Sequence, residues 1–459
     1  MKTKDIQHLY RRIGFGILPV NLNKLSKKSK KVIINDLFIT SKTVTPLKVD
    51  ITEIKKILSG AVKMNSKLDS QTRSKIQKLD KQKQIELNVE WISRLTNSSE
   101  ILREKMTLFW ANHFVCKDSS ITYIQNFSNT LRKHALGNFK DFVNAISKEA
   151  AMTKYLNTKQ NKKQKPNENF ARELMELFTL GVGHYSEEDI KESAKAFTGY
   201  SHNLQGQFVF KKHQHHEGEK TFFGKTGNFS GEDIIAIILE KKQCATYICE
   251  KIYRYFVNDT IDKKHVNAMA DVFYKDYDIE NLMRFLLLSD WFYNEEHLGS
   301  KIKSPIEFLV GLKTVVPIEF KNSKQLQYFQ KLLGQTLLNP PNVAGWKGGK
   351  NWIDSNTIIW RLKLPSLLLN GAYISNVKKG NRDLEIERFK KKHGKRFKTS
   401  VNWKYFDSEF ENVKINDFQS HLLACDITTE AKKHLETLEK VSKREYCIQL
   451  MSLPEYQMC

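Results

Sequence analysis

Apolar side chains recur at helical spacing along most of this sequence, and that periodicity limits the fold more than any other feature. The segment 49–100 carries lysine-rich helical patterns and has no glycine between Val62 and Glu100, which is typical of a long helical hairpin. The segment that begins at Ile101 (ILREKMTLFWANHFVC) is apolar on nearly every side and predicts a central helix. We therefore expect a mostly α, multi-helix globular fold.

Two segments interrupt the helical pattern. Phe208 and Phe210 alternate with polar residues, and KTFFG follows the polar run HQHHEGE, so we expect one small β-hairpin near 207–223. Residues 338–353 (LNPPNVAGWKGGKNWI) predict a long irregular loop rich in Pro, Gly and Trp. The pattern divides the chain into an N-terminal helical region 1–100, a central helical core 101–370 and a charged helical C-terminal region 371–459.

The composition narrows the classes of partner. With 459 residues and 40% hydrophobic content, the chain can bury a large core. Its net charge of +24 comes mostly from lysine, whereas proteins that read bases and phosphates rely on the planar fork of arginine. We therefore do not expect nucleic acid as a specific partner. The densest basic cluster, at 388–398 (RFKKKHGKRFK), predicts a solvated turn or tail.

The sequence gives little sign of membrane insertion or export. It has no apolar run long enough for a membrane span, and its start (MKTKDIQHLYRRIGFG) lacks the apolar region of a secretory signal. The expected location is cytoplasmic by default, with export by a route without a visible signal left open. Six cysteines show no CxxC and no regular spacing, which favours scattered reduced thiols over a zinc finger or a disulfide framework.

The segment Pro166–Gly181 (PNENFARELMELFTLG) concentrates polar side chains on one predicted helix. With Asn167 as N-cap, a regular α-helix places four of them on one stripe, with Asn169 and Glu173 beside it: Glu168, Arg172, Glu176 and Thr179. Such a face is either an exposed ladder of ion pairs or, where it is covered, an acid–base or metal site. The HExxH and ExxH spacings of known metal-binding helices are absent.

Histidines supply further candidates for chemistry. His113 lies on an apolar helix face and is either a hydrogen-bonded core residue or a ligand or general base. His213, His215 and His216 lie at the predicted hairpin turn and are either exposed side chains or ligands of a divalent metal. In an extended chain at most two of the three can face the same way.

Two tryptophans mark the irregular loop. Trp346 and Trp352 are held between prolines and glycines, which constrain the backbone around them. Their rings either plug the core or stack on a sugar, a base or a side chain. Because long loops on a helical scaffold often carry function, both remain candidates for substrate binding.

Several segments together resemble one bacterial family of unknown function, DUF1800. They are HLYRRIGFG, REKMTLFWANHF, LRKHALGNF, NENFARELMELFTLGVGHY with AFTGY, HHEGEKTFFG, KSPIEFLVG and LGQTLLNPPNVAGWKGG with NWI. The match runs from about His8 to about Arg361 and includes the closing PEYQ. The motif positions it carries over are Arg11, Gly14, Trp110, Asn112, His113, His134, Asn167, Glu168, Asn169, Arg172, Glu173, His215, Lys220, Trp346 and Trp352.

The resemblance implies little about activity, because the family is uncharacterised. Its members are often neighbours of a second uncharacterised family that looks like sulfatases and alkaline phosphatases, which implies a partner protein of that kind. The chain departs from the pattern at His216, where Asp is expected, and at Ala111, where His is expected. Both departures argue against the hypothesis of a metal centre, although a divalent metal bound by His215 and His216 stays one interpretation.

The sequence leaves three functions open. The first is a hydrolase or group-transfer enzyme for a carbohydrate or anionic substrate, with four catalytic residues: Glu168, Arg172, Glu173 and His113. Its substrate-binding residues would be Asn112, Asn167, Asn169, Lys220, Trp346 and Trp352. The second is a non-catalytic scaffold that binds a sulfatase- or phosphatase-like protein, with the tryptophan loop as the centre of the interface. The third is nucleic-acid binding.

Overall fold

The computed structural model describes residues 1–63, 69–370, 399–436 and 441–459. The basic cluster at 388–398 lies outside these residues, as does much of the region 371–459. Helices and their connecting loops make up most of the described chain, which confirms the mostly α fold. Among the residues described, none of the helices combines the length and the apolar character that a membrane-spanning helix requires.

The helices follow one another closely along the chain. The first are α1 (Thr3–Ile13), α2 (Pro19–Ser26), α3 (Lys30–Thr40), α4 (Thr52–Lys63), α5 (Ser70–Asn97), α6 (Ile101–His113), α7 (Ile121–His134), α8 (Phe139–Lys148) and α9 (Ala150–Tyr155). Next come α10 (Asn169–Glu173), α11 (Glu187–Ala196), α12 (Gly231–Leu239), α13 (Lys242–Phe256), α14 (Lys263–Phe273) and α15 (Ile279–Leu288). The last are α16 (Pro305–Val315), α17 (Ser323–Leu332), α18 (Thr357–Leu369), α19 (Trp403–Glu409), α20 (Phe418–Leu422), α21 (Thr429–Glu436) and α22 (Lys443–Met451).

The described strands form three two-stranded antiparallel sheets. In chain order they are β1 (Tyr200–His202), β2 (Phe208–Phe210), β3 (Lys220–Phe222), β4 (Lys225–Gly227), β5 (Ile318–Phe320) and β6 (Thr399–Val401). A small hairpin is confirmed, but the strand pairing expected for 207–223 is wrong. β2 pairs with β1, so that Ser201 faces Val209, and β3 pairs with β4 across a tight turn at Gly224. Strand pairing depends on partners outside the alternating segment, and the pattern of that segment does not contain them.

The described residues form two compact units, each built from segments that are distant in the sequence. The first unit contains 1–33, 293–336 and 348–459, and the second contains 34–292 and 337–347. The division into three consecutive regions stays a prediction about domain organisation.

The core of the first unit is apolar and aromatic. Phe308 of α16, Leu364 of α18, Phe406 of α19 and Ile448 of α22 are all buried in it. Helix α16 begins with a reciprocal capping box between Ser304 and Glu307, and Pro305 occupies its first position.

The second unit is built around α6, the predicted central helix. Nearly every residue of α6 is buried, and the Trp110 ring contacts Phe114, Phe139 and Phe142. Even its charged residues are buried, and Glu104 accepts a hydrogen bond from Arg132 at 2.7 Å. A charge pair of this kind persists in the interior because each partner satisfies the other. The last residue of α6, His113, contacts the backbone of Phe178 in the polar segment 166–181.

Candidate functional site

The polar segment 166–181 begins as a helix and then changes its winding. The Asn167 carboxamide oxygen accepts a hydrogen bond from the backbone N–H of Asn169 at 3.2 Å, and α10 follows. Leu174–Thr179 is then a π-helical turn, in which the Thr179 hydroxyl donates to the Leu174 carbonyl at 2.6 Å. The wider turn rotates Thr179 into the core, where it is 0% exposed. The expected position of Thr179 on the polar stripe is therefore wrong.

Side chains from α6 and α13 satisfy the carbonyls at the end of the π turn. The Tyr247 hydroxyl and the Lys251 ammonium both donate to the Leu177 carbonyl, each at 3.1 Å. His113 donates from Nε2 to the Phe178 carbonyl at 3.0 Å. Backbone acceptors freed by irregular winding need such partners when they are buried. The π turn is thus held by three side chains that come from far away in the sequence.

His113 uses both ring nitrogens inside the protein. Because Nε2 donates to a carbonyl, Nδ1 carries the lone pair, and it accepts a hydrogen bond from Lys251 at 3.2 Å. The imidazole is 3% exposed, and burial together with the Lys251 charge lowers its pKa well below the usual value. His113 is therefore a neutral, hydrogen-bonded core histidine, one of the two alternatives that the sequence left open.

Arg172 lies in an ion-pair network at the surface. Its guanidinium donates to both carboxylate oxygens of Glu187 at 2.8 Å and to Glu168 at 3.2 Å. Arg172 does not pair with Glu176, which is also four residues away, and Glu176 instead accepts a hydrogen bond from the Tyr185 hydroxyl at 2.7 Å. Burial and that contact raise the pKa of Tyr185 to about 12, so the phenol keeps its proton. Arg172 and Glu176 are both held in fixed positions on either side of Glu173.

Glu173 differs from these neighbours, because its carboxyl group makes no hydrogen bond or ion pair with any described residue. The side chain is half-buried. Burial raises its pKa, the nearby charge of Glu176 raises it further, and Arg172 opposes the shift. Burial also raises the pKa of Tyr155, and the negative charge of Glu173 contributes to this increase. Glu173 is thus a carboxyl that holds its proton more firmly than usual and has no partner among the described residues.

The histidine pair lies in a different part of the second unit. His215 donates from Nδ1 to the Thr198 carbonyl at 2.9 Å, and the His216 backbone N–H donates to the Thr198 hydroxyl at 2.8 Å. Burial lowers the pKa of His216, as do the charges of Lys220 and Lys195. Lys220 is 1% exposed and donates to the Gly218 carbonyl at 2.9 Å.

These surroundings do not favour a divalent metal. Two lysine ammonium groups lie near His216 and would repel a cation. Within the described ranges, no group of three or more His, Cys, Asp or Glu side chains could hold a metal ion. The histidine pair therefore offers His215 Nε2 and the ring nitrogens of His216, of which Nδ1 is buried without a hydrogen-bond partner among described residues.

Helix α11 separates the histidine pair from the polar helix. Glu187, which binds Arg172, is the first residue of α11, whereas Thr198, which binds His215, lies just beyond its end. A helix of ten residues spans about 15 Å at 1.5 Å per residue. In the part of the chain that the structure describes, no contact of either histidine reaches Glu168, Arg172 or Glu173. The contacts of the described residues therefore do not join the histidine pair to the polar helix.

Asn112 clamps the backbone of the irregular loop. Its carboxamide donates to the Trp346 carbonyl at 3.0 Å and accepts from the Trp346 N–H at 2.8 Å. Gly345 has φ +73°, and a Cβ there would lie 2.3 Å from the Asn112 oxygen. Trp346 lines a small, mostly apolar cavity of about 20 Å³ with Trp91, enough for a single water. Trp352 is 9% exposed and belongs to the first unit, so the two tryptophans are parts of different units.

Four residues that shape the polar helix were not predicted from the sequence: Tyr185, Glu187, Tyr247 and Lys251. Glu187 follows the capping serine Ser186, and its charge at the start of α11 was visible as a helix signal. Tyr247 and Lys251 are four residues apart and share one face of α13, but only the packing of α13 against the π turn reveals their role.

One comparison with known proteins identifies the chain. The model of a family described as a protein of unknown function, DUF1800, matches residues 8–458. No curated protein and no solved structure is similar enough to count as a match. The matched range covers nearly the whole chain and both compact units. The chain belongs to the DUF1800 family.

Proposed function

We propose that this protein is a hydrolase or group-transfer enzyme in which Glu173 transfers a proton to or from a carbohydrate or anionic substrate. The observation that supports the proposal is the Glu173 carboxyl itself, which is half-buried, has no partner among described residues and has a raised pKa. A general acid needs a proton that it keeps near neutral pH and an orientation that a substrate can reach. Carboxyl groups with such shifts are enriched at functional sites.

The neighbours of Glu173 have complementary roles in this proposal. Glu176, fixed by Tyr185, supplies the negative charge that keeps the Glu173 proton in place. Arg172, fixed by Glu187 and Glu168, supplies the positive charge for an anionic group of the substrate. Asn169 is exposed at the start of the same helix and can donate or accept a hydrogen bond.

The π turn supports the same interpretation. Such turns are rare inside helices and are frequent at functional sites, because they reorient side chains at a cost in regular hydrogen bonding. Here the turn begins directly after Glu173 and is held by His113, Tyr247 and Lys251. These three are positioning residues in the proposal, since their polar atoms contact the turn.

A panel of chromogenic substrates tests the proposal. Purified protein is assayed on nitrophenyl phosphate, sulfate, acetate, hexosides and hexuronides. For a substrate that is turned over, Glu173→Gln should lower kcat/KM by about 100-fold or more, because general acid–base catalysis contributes at least that much. Glu188→Gln is the matched control, since Glu188 is exposed on α11 and makes only a long ion pair with Lys191 at 3.9 Å. Absence of turnover across the panel, or equal activity of the two variants, contradicts the proposal.

The Asn112 clamp favours a second function, a scaffold that binds a partner protein. Trp346 is partly exposed on a loop whose backbone is pinned at Gly345, and a preordered aromatic side chain is typical of interface centres. The expected partner is the sulfatase- or phosphatase-like protein implied by the family resemblance. Trp346→Ala should then abolish co-elution with that partner at micromolar concentration, whereas Glu173→Gln should not change it.

A further inference from the structure

Six lysines of the second unit come together on one surface, which we call the lysine face: Lys159, Lys162, Lys163, Lys165, Lys211 and Lys212. The first four belong to the loop that leads into α10, and the last two follow strand β2. Two backbone contacts join these segments. The Lys163 N–H donates to the Gln214 carbonyl at 2.8 Å, and Gly199 binds both Asn161 and Lys211 through its backbone.

The junction at Gly199 depends on glycine. Its φ is +83°, and a Cβ at this position would lie 2.7 Å from the Lys211 carbonyl oxygen. The charges of Lys159 and Lys211 both reach His202 in β1, where they add to burial in lowering the pKa of that histidine. The lysines of the two segments therefore act on the same region of the protein, although they are far apart in the sequence.

The lysine face lacks the acidic partners that other lysines of the second unit have. Lys148 pairs with Glu232, Lys225 with Glu240, and Lys242 with Asp271. On the lysine face, the only ion pair with a described residue is between Lys212 and Glu217, at 4.0 Å. Like charges that converge without counter-charges raise the local positive potential, which an anion would lower.

An exposed aromatic ring lies within this charged surface. Phe210 is 47% exposed at the end of β2 and lines an open concavity of about 730 Å³ with Lys163, Lys211, Lys212, His213 and one acidic residue, Glu217. Its ring packs against His215 at 5.1 Å between centroids, which fixes its orientation. The concavity thus offers an apolar ring surrounded by three lysines and a single carboxylate, so its lining keeps a net positive charge.

We propose that the lysine face binds an anionic polysaccharide, a glycan that carries carboxylate or sulfate groups. One aromatic plate matches the apolar face of one sugar ring, and lysines, as point charges, match anionic groups at variable spacing. Single-stranded nucleic acids use successive aromatic rings for successive bases, and this concavity offers only Phe210 among its described lining residues. The lysine-rich loop continues into the helix of Glu173, so the glycan is also the substrate class for that residue, and this last step rests on the proposed function.

Direct binding measurements test the lysine face. Heparin and alginate are titrated into the protein at physiological salt, with neutral dextran and an oligothymidylate of matched charge as comparisons. The triple variant Lys162→Gln, Lys163→Gln, Lys212→Gln should weaken heparin binding by about tenfold or more and reduce its salt dependence. The matched control is Lys24→Gln, Lys27→Gln, Lys31→Gln, which removes the same charge from exposed lysines elsewhere and should change the affinity by less than about threefold.

Further variants separate this proposal from its alternatives. Phe210→Ala should weaken heparin binding by about threefold to tenfold without changing the salt dependence, because a stacking contact involves no counterion. Equal losses in the two lysine triples would overturn the proposal, since net charge alone would explain them. Tighter binding of the oligothymidylate than of either glycan would overturn it in favour of nucleic acid. Glu173→Gln should bind heparin normally, so a failure of catalysis and a failure of glycan binding are distinguishable.

Discussion

The Nε2 hydrogen of His113 is donated to the carbonyl of Phe178 at 3.0 Å, which ties the last residue of α6 to the π turn. The contact explains why a histidine occupies an aromatic core, where its ring also lies against Phe109, Trp110 and Phe114. It also places His113 under the polar helix without exposing it.

Replacement of His113 by alanine should therefore cost stability first. The substitution leaves the Phe178 carbonyl and the Lys251 ammonium without their shared partner and opens a cavity, so we expect a loss of about 2–4 kcal/mol in the free energy of unfolding. Urea denaturation followed by circular dichroism measures it. His184→Ala, at an exposed loop position, is the control and should stay close to the wild type. A His113→Ala protein that is as stable as the wild type would show that the contact is not structural.

Lys251 should make the protein more stable as the pH rises. Burial lowers the pKa of its ammonium group to about 8, below the ordinary value of 10.5 for a lysine. Between these values the unfolded chain binds more protons than the folded one, so the free energy of unfolding increases with pH through this window. The contribution is complete above the unfolded pKa and is lost as the pH falls through about 8.

The Lys251→Met variant tests that pH dependence in thermal unfolding at several pH values between neutral and alkaline. Methionine has a similar length and no charge, so the rise in stability should become shallower. It should not vanish, because burial also lowers the pKa of Lys303 in the first unit, to about 7. A variant whose stability increases with pH as steeply as that of the wild type would contradict the assignment to Lys251.

Glu173 should have the opposite pH dependence. Its folded pKa is raised, so its contribution to stability is present below the unfolded pKa and is lost as the pH rises through the folded pKa. At neutral pH, Glu173→Gln should thus be more stable than the wild type, by less than about 1 kcal/mol because the group is half exposed. The difference should disappear in acid. Calorimetry at neutral and acid pH measures it, and a Gln variant that is less stable at neutral pH would show that the carboxylate has a stabilising partner.

The sequence predicted helices and caps more reliably than their tertiary partners. The capping boxes at Ser186 and Ser304, for example, are formed by residues within one short segment. The central position of α6 followed from its apolar surface on every side. These features depend on neighbours within one turn, so a single sequence contains all that is needed to predict them.

The candidate site was harder to predict, because its geometry depends on contacts between distant segments. The prediction that Thr179 lies on the polar stripe assumed regular α-helical winding. The π turn after Glu173 departs from that winding. Lys251 stabilises this turn from α13, yet nothing near Lys251 in the sequence indicates it. Likewise, the separation of the histidine pair at 215–216 from the polar helix depends on how α11 packs between them, which no local pattern contains.

The clamp between Asn112 and the irregular loop gives the last prediction. A Cβ at Gly345 would meet the Asn112 oxygen at 2.3 Å, and φ +73° is itself unfavourable for alanine. Gly345→Ala should therefore lower the free energy of unfolding by about 2 kcal/mol or more. In the double variant, Asn112→Ala removes the clashing oxygen. The stability lost in the double variant should therefore be smaller than the sum of the losses in the two single variants. Thermal denaturation of the two single variants and the double variant completes the cycle, and fully additive losses would mean that Asn112 and Gly345 do not act on each other.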